Sequence, residues 1–395
     1  MKNSIVRSGF SGFSSLFAFF ALLSSTMTVA SAKPSEGVLD RHVRAGMERT
    51  GAKGLAIAII EKGRVRATQT WGVRNHKGEP LTPETIMYGA SLTKAVFGYL
   101  VMQLADEGRI DLDASIARYL PKPLPEYADA EDLYAPWHHL AGDERWRKLT
   151  PRILLNHGSG FANFFFMEPD GRLKFHFDPG SRYSYSGDGI ILLQYVLEKG
   201  LGLDVEQELQ RRFFVPLGMS NTSLIWRPDF ASNLADGWGL DGKTEPHDER
   251  SAVRASGSMD TTIDDFAKLA AAYVRGQGLS KMARAEMVRP QLSIRSASQF
   301  PMLGSDAPPA QQVQGLAAGL GLIAFKGPQG PGFFKGGHND FTGNMLVCLE
   351  RRKRCVVLMA NDVRAESMFP GIVRLVLGET GMPWRWEYGP VDWAR

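Results

Sequence analysis

The sequence predicts a mixed α/β (α+β) fold: an antiparallel β-sheet built from both ends of the chain, flanked by helices, plus an inserted mainly helical domain. Three observations predict it. β-rich stretches lie near both ends, at 54–71 and 332–361. The long middle carries helical apolar spacing and loops instead of strands. An apolar helix pattern also begins shortly after the first β-hairpin, which places cover next to the sheet that needs it.

Taken in order, Gly54–Glu61 and residues 64–71 are β-rich runs split by Lys62-Gly63, the pattern of a hairpin. From about 91 to 107, Val96, Leu100, Val101 and Leu104 recur at helical spacing, and Gly108 supplies the stop. Residues 108–250 are loop-rich, with helices expected near 152–156, 190–199 and 205–214 and a Pro-rich acidic surface loop at 121–136. Residues 262–275 read as a helix, with Thr262 as its cap and Asp264 and Asp265 in a first turn that favours negative charge. Residues 299–315 read as a polar loop. Strands are expected at 332–338, 343–350 and 354–361, and an amphipathic helix at 366–378. The α/β part is therefore about 33–90 with 255–395, and the helical part about 91–254. A cleft between them is the default place for a site.

Residues 1–32 have the pattern of a secretory leader. Lys2 and Arg7 begin it, an apolar stretch around Leu16–Leu23 follows, and Ala30-Ser31-Ala32 is a small-x-small cleavage pattern. An uncleaved anchor is the alternative, but Ser24, Ser25 and Thr26 interrupt the apolar run. The expectation is a periplasmic or secreted protein, with no membrane attachment once the leader is removed. Without the leader, 44 basic residues face 42 acidic ones. A net charge near +2 gives no basic footprint for nucleic acid. Nothing in the sequence sets an oligomeric state.

Cys348 and Cys355 flank Glu350–Arg354. A two-residue turn at Arg351-Arg352 sets them opposite each other, where an oxidising compartment can close a disulfide. Two free buried thiols are the alternative.

The main chemical signal is Ser91-Leu92-Thr93-Lys94 at the mouth of the apolar helix. A serine at a helix start lies near free N–H groups and the positive end of the dipole. A lysine three residues on shares its face, and its amine takes the serine proton if its pKa is lowered. A capping serine followed by an exposed lysine is the plainer alternative. Other stretches occur with it in order: 107–113 followed by Tyr119-Leu120-Pro121; Leu149-Thr150-Pro151 leading to His157-Gly158-Ser159-Gly160; Phe177-Asp178-Pro179-Gly180; and Pro216-Leu217-Gly218-Met219. This ordered set resembles the penicillin-binding proteins and class C β-lactamases, and it covers about residues 50–375.

The resemblance implies a DD-peptidase/β-lactamase-like fold and an acyl-enzyme formed on Ser91. Tyr185, in Tyr185-Ser186-Gly187, would be the general base with Lys94, as a phenolate held by the ammonium. Gly187 stands where the family has an Asn that binds a substrate amide, which ranks small esters ahead of D-amino-acid peptides and β-lactams. Two registers compete for the third motif, His338-Asn339-Asp340 and Lys335-Gly336-Gly337. Because Gly337 precedes His338 and Phe341-Thr342-Gly343 follows, His338 is preferred, with the Asp340 N–H joining that of Ser91 in the oxyanion hole. His157 reads as structural. The phenylalanines between 161 and 177 read as core or as an apolar substrate wall. There is no G-x-S-x-G elbow, no H-E-x-x-H and no phosphate loop, so no metal or cofactor is implied. The expected partner is a small-molecule or peptide substrate. The rival expectation is a catalytically weak cell-wall-binding or regulatory protein that keeps the fold.

Overall fold

In the computed structural model the described residues are 36–128 and 133–389, all within a unit that begins at Pro34. The leader, residues 1–32, lies outside them. The described residues form twelve strands: β1 (Gly54–Glu61), β2 (Arg64–Gly72), β3 (Met87–Tyr88), β4 (Gly237–Trp238), β5 (Thr244–Glu245), β6 (Asp260–Thr261), β7 (Leu292–Ser293), β8 (Ala317–Ala318), β9 (Ile323–Gly327), β10 (Gly330–His338), β11 (Gly343–Leu349) and β12 (Arg354–Ala360). The α-helices are α1 (Glu36–Thr50), α2 (Leu92–Asp106), α3 (Pro151–Leu155), α4 (Gly187–Tyr195), α5 (Val205–Leu209), α6 (Ile263–Arg275), α7 (Lys281–Val288), α8 (Phe369–Leu377) and α9 (Trp384–Tyr388).

The main sheet is antiparallel, in the order β2-β1-β12-β11-β10-β9-β8-β7. Strands from both chain ends thus meet at the β1–β12 pair, as the distribution of β-rich runs predicts. Side chains alternate between two faces. Phe333, Leu346, Val357 and Met359 join the apolar core that includes α2 and α6. Phe334, Met345, Val347, Val356 and Leu358 pack in a second core with Leu39, Val43, Phe369 and Ile372, from α1 and α8.

Local sequence explains the principal helices. The Thr262 side chain accepts the Asp265 N–H, and α6 stops at Gly276, whose φ of 69° suits a glycine. In α2 the residues from Leu92 to Leu104 are all buried. A helix that is apolar on every side belongs at the centre of a protein, not on its surface.

Cys348 pairs with Cys355 across β11 and β12, and the two form a disulfide. A cross-link over so short a loop restrains the unfolded chain modestly, by about 2–3 kcal/mol. Cys348→Ser with Cys355→Ser should therefore lower Tm in thermal unfolding by several degrees while leaving the fold intact. An unchanged Tm would contradict the bond.

Candidate active site

Ser91 sits at the first turn of α2, and its side chain makes no capping bond to that helix. Its hydroxyl instead faces Lys94. The residue before it, Ala90, has φ 46°, a strained conformation for a residue with a Cβ. Three contacts hold this turn. The Thr93 hydroxyl donates to the Ala90 carbonyl at 2.6 Å, the Met259 N–H donates to Thr93 Oγ1 at 3.1 Å, and the Gly89 N–H donates to the Met259 carbonyl at 2.8 Å.

Lys94 is 1% exposed, and its Nζ lies 2.9 Å from Ser91 Oγ. It also donates to the Ser256 carbonyl. Burial, with Lys335 as a like charge nearby, holds its amine well below the usual lysine range. Tyr185 stands opposite, hydrogen-bonded to Ser91, with its ring centroid 5.0 Å from the Nζ of both Lys94 and Lys335. Burial pushes its phenol above the ordinary range. Burial therefore disfavours the Tyr185 phenolate that the resemblance implies, while the Lys94 amine, itself lowered, lies within hydrogen-bond reach of Ser91 Oγ.

The third-motif register is corrected. Lys335 is the residue that enters the site, with its Nζ 3.4 Å from Tyr185 Oη and 2.7 Å from the Gly336 carbonyl. Burial lowers its amine to about 8, against the opposing influence of Glu387. Strand parity is the physical reason. Phe333, Lys335 and Gly337 share the face toward α2, whereas Phe334, Gly336 and His338 share the other. His338 lies at the rim of the cleft, paired with Glu366 at 3.2 Å. Asp340 lies past the end of β10, in a neighbouring groove with Asp241 and Lys243. It does not reach Ser91's turn.

Gly337, and not Asp340, is the β10-side residue that lies against the nucleophile turn. A Cβ at Gly337 would fall 2.7 Å from the Leu92 N and 2.9 Å from the Ser91 N. β10 pairs with β9 only as far as Phe334, so its backbone beyond that point is open on that edge beside the nucleophile turn. Asn344 fixes the approach by donating to the carbonyls of Gly337 at 2.9 Å and Tyr88 at 3.0 Å.

Gly187 caps no empty space. Its N–H donates to Asn163 Oδ1 at 2.9 Å, and a Cβ there would strike the Phe164 ring. His157 is buried and structural. It accepts the Ser186 N–H at Nδ1 (3.2 Å) and lies 4.5 Å, centroid to centroid, from the Tyr185 ring. Burial and the two lysines keep it neutral. Tyr183 points away, to Gln299. The phenylalanines divide: Phe161 and Phe175 are core, while Phe164, Phe165 and Phe166 line the cleft.

The cleft has a volume of about 780 Å³ and holds Ser91, Lys94 and Tyr185, with Gly336 and Gly337 on its β10 side. Sequence reasoning missed Asn163, Asn344 and Glu387. Glu387 is 2% exposed and accepts from Gln299 Nε2 at 3.0 Å. Each of the three comes from a distant segment and carries no local motif. Among the described residues no group of His, Cys, Asp or Glu is arranged to hold a metal, and no helix is long and apolar enough to cross a membrane.

A sheet covered by helices on both faces, with a serine and a buried lysine three residues on at a helix mouth, faced by a tyrosine and a second lysine, defines a class, and the family model agrees. The chain belongs to the beta-lactamase family, whose model matches residues 39–377. It is 23% identical to the D-alanyl-D-alanine-carboxypeptidase/endopeptidase AmpH of Escherichia coli K12, over 93% of this chain and 96% of that protein. It is 27% identical to esterase EstB of Burkholderia gladioli, over 43% of this chain and 47% of that enzyme. The chain spans about half the length of the first curated relatives it matches. The octameric penicillin-binding protein homologue from Pyrococcus abyssi shares the fold, with a TM-score of 0.68 at 21% identity over 87% of this chain and 78% of that one.

Proposed function

We propose that the protein is an exported acyl-serine hydrolase acting on small esters, D-amino-acid peptides or related acyl compounds. The observation that carries this reading is the buried, low-pKa Lys94 amine 2.9 Å from Ser91 Oγ. Ser91 Oγ attacks the substrate carbonyl, and its proton passes to neutral Lys94. The Ser91 N–H and the open backbone edge of β10 near Gly337 stabilise the oxyanion. Tyr185 protonates the leaving group as the carbon–leaving-group bond breaks. The Lys335 ammonium holds the phenolate that results until the proton on Lys94 returns to it. Water then attacks the acyl-enzyme and gives its proton to Lys94, which passes it to the departing Ser91 Oγ as the acid is released. The names of AmpH and EstB are consistent with peptide and ester substrates. The leader pattern and the Cys348–Cys355 bond support export.

The binding-protein alternative drew on Gly187 and Asp340. Gly187 is covered by Asn163 and Phe164, and Asp340 stands in a separate groove, so neither departure touches the reacting atoms.

The pH dependence tests the roles. Lys335 is protonated below about 8 and loses its charge above it. Burial and the nearby Lys335 hold Lys94 well below the usual lysine range. With p-nitrophenyl acetate as substrate, kcat/KM should fall as pH rises through about 8. Lys335→Met should remove that limb and lower the plateau by about 10²-fold. A limb that survives in Lys335→Met would assign it to another group, and no turnover of any ester or D-amino-acid peptide would reject the hydrolase reading.

A further inference from the structure

The C-terminal helix α9 places a carboxylate beside the oxyanion strand. Glu387 is 2% exposed and lines the Ser91 cleft together with Gly336 and Gly337 of β10. Gly336 makes room for it: a Cβ on that residue would overlap Glu387 Oε1. The other oxygen, Oε2, accepts from Gln299 Nε2 at 3.0 Å. Gln299 is held in turn by its N–H on the Trp386 carbonyl at 2.7 Å and by the Tyr183 hydroxyl on its Oε1 at 3.0 Å. Gly336 also holds Lys335, whose Nζ donates to the Gly336 carbonyl at 2.7 Å and lies 3.4 Å from Tyr185 Oη. One glycine thus carries a cation at its carbonyl and an anion against its α-carbon. Both charges are buried, and a buried ammonium calls for an anion close by. Burial lowers the Lys335 amine, and the charge of Glu387 opposes that effect. Burial pushes the Glu387 carboxyl up; Lys335 and His338 oppose the push, and Glu366 adds to it. The phenols of Tyr183, Tyr185 and Tyr388 lie within the same field.

We propose that Glu387 determines which leaving groups the site accepts: it fills the counter-ion place of Lys335 and so selects against a leaving group that carries a carboxylate. The proposal rests on the acyl-serine reading. In that reading Tyr185 protonates the leaving group and Lys335 stands beside Tyr185, so the departing part of the substrate lies within the field of Lys335 and Glu387. A neutral leaving group meets a balanced pair of charges. An anionic one gives up water, gains no unpaired cation, and faces a carboxylate that little water screens. The effect travels through the field, so the substrate need not touch Glu387. The substrate class narrows accordingly. Neutral esters and amides rank ahead of β-lactams and of peptides with a free carboxylate next to the scissile bond. Asp248, Glu249, Arg250 and Arg254 line other parts of the same cleft, and their charges are common to the wild type and to any variant at 387.

The test compares aryl acetates of matched shape with the full-length protein: 3-acetoxybenzamide, which is neutral, against 3-acetoxybenzoate, which is anionic, and the same pair substituted at the 4 position. The pH is 7, below the value of about 8 at which Lys335 loses its proton. Each kcat/KM is divided by the hydroxide rate of the same ester, which removes intrinsic reactivity. The acyl group and the catalytic groups are the same throughout, so their titration cancels in the ratio. The wild type should favour the neutral ester about thirtyfold or more in at least one pair. In Glu387→Gln a carboxamide oxygen can still accept from Gln299, but Lys335 loses its anion and the substrate carboxylate can take that place. The ratio should then fall about tenfold. Glu387→Met, which also deletes the charge, stands in if the glutamine variant does not fold, and Glu387→Asp, which keeps the charge, should stay within about threefold of wild type. A wild-type ratio near one in both pairs, or a ratio unmoved by loss of the charge, overturns the role of Glu387. Active sites are counted in every sample with a fluorophosphonate. A labelled protein with a flat ratio sinks the Glu387 proposal alone, whereas a wild type that neither labels nor turns over any of the esters sinks the acyl-serine reading beneath it.

Discussion

Replacing Lys94 by methionine should lower kcat/KM for ester hydrolysis by about 10³–10⁴-fold while the protein stays folded. In the proposed mechanism the buried amine takes the Ser91 proton, at 2.9 Å, and burial and Lys335 lower its pKa. Methionine matches its length and apolar stem, and removing a buried cationic group does not open a large cavity. The lost bonds to Ser91 Oγ and to the Ser256 carbonyl leave a serine with no base and one polar atom less well satisfied. Steady-state kinetics with a fluorophosphonate labelling rate on the same sample measures the effect. Thermal unfolding checks that the loss is chemical. A Lys94→Met enzyme within tenfold of wild type would mean that Tyr185, not Lys94, is the base.

Gly337→Ala should cost about 10²–10³-fold in kcat, with a smaller change in KM. The added methyl meets the backbone nitrogens of Ser91 and Leu92 and the Gly89 carbonyl, all closer than 3.0 Å. Those atoms cannot retreat cheaply. Thr93 and Met259 pin the turn, and Asn344 ties β10 to Tyr88. The strand must therefore shift away, and the donors aimed at the developing oxyanion move with it. Gly37→Ala, at a position where a Cβ meets only ordinary contact with Arg41, serves as the control and should be neutral. Steady-state kinetics on p-nitrophenyl acetate would report the loss. A Gly337→Ala enzyme with wild-type kcat would show that the β10 edge is not part of the oxyanion site.

Much of this site is legible in the residues. Ser91 and Lys94 can be paired because i and i+3 share a helix face, and the apolar run after them marks a helix that must be buried. The sheet is legible because its strands are dense in β-branched and apolar residues, and the cysteines fall opposite one another once the β11–β12 turn is set. The third motif was misread because Lys335-Gly336-Gly337 and His338-Asn339-Asp340 are adjacent in sequence and sequence order does not choose between them. Parity could have chosen: the face toward α2 is the face of Phe333, so Lys335 and Gly337 follow and His338 does not. The protonation of Tyr185 was not legible, since it depends on burial by segments far away in sequence. Asn163, Asn344 and Glu387 were missed for the same reason. Each acts through a contact with a distant backbone or side chain, and nothing near it in sequence announces that contact.

The most direct test of the central claim is intact-mass analysis of the purified protein after treatment with a fluorophosphonate, followed by peptide mapping, beside Ser91→Ala. The account predicts one adduct per chain, on Ser91, formed with loss of esterase activity and absent from the variant. An adduct on another residue, or an undiminished esterase activity in Ser91→Ala, would contradict it.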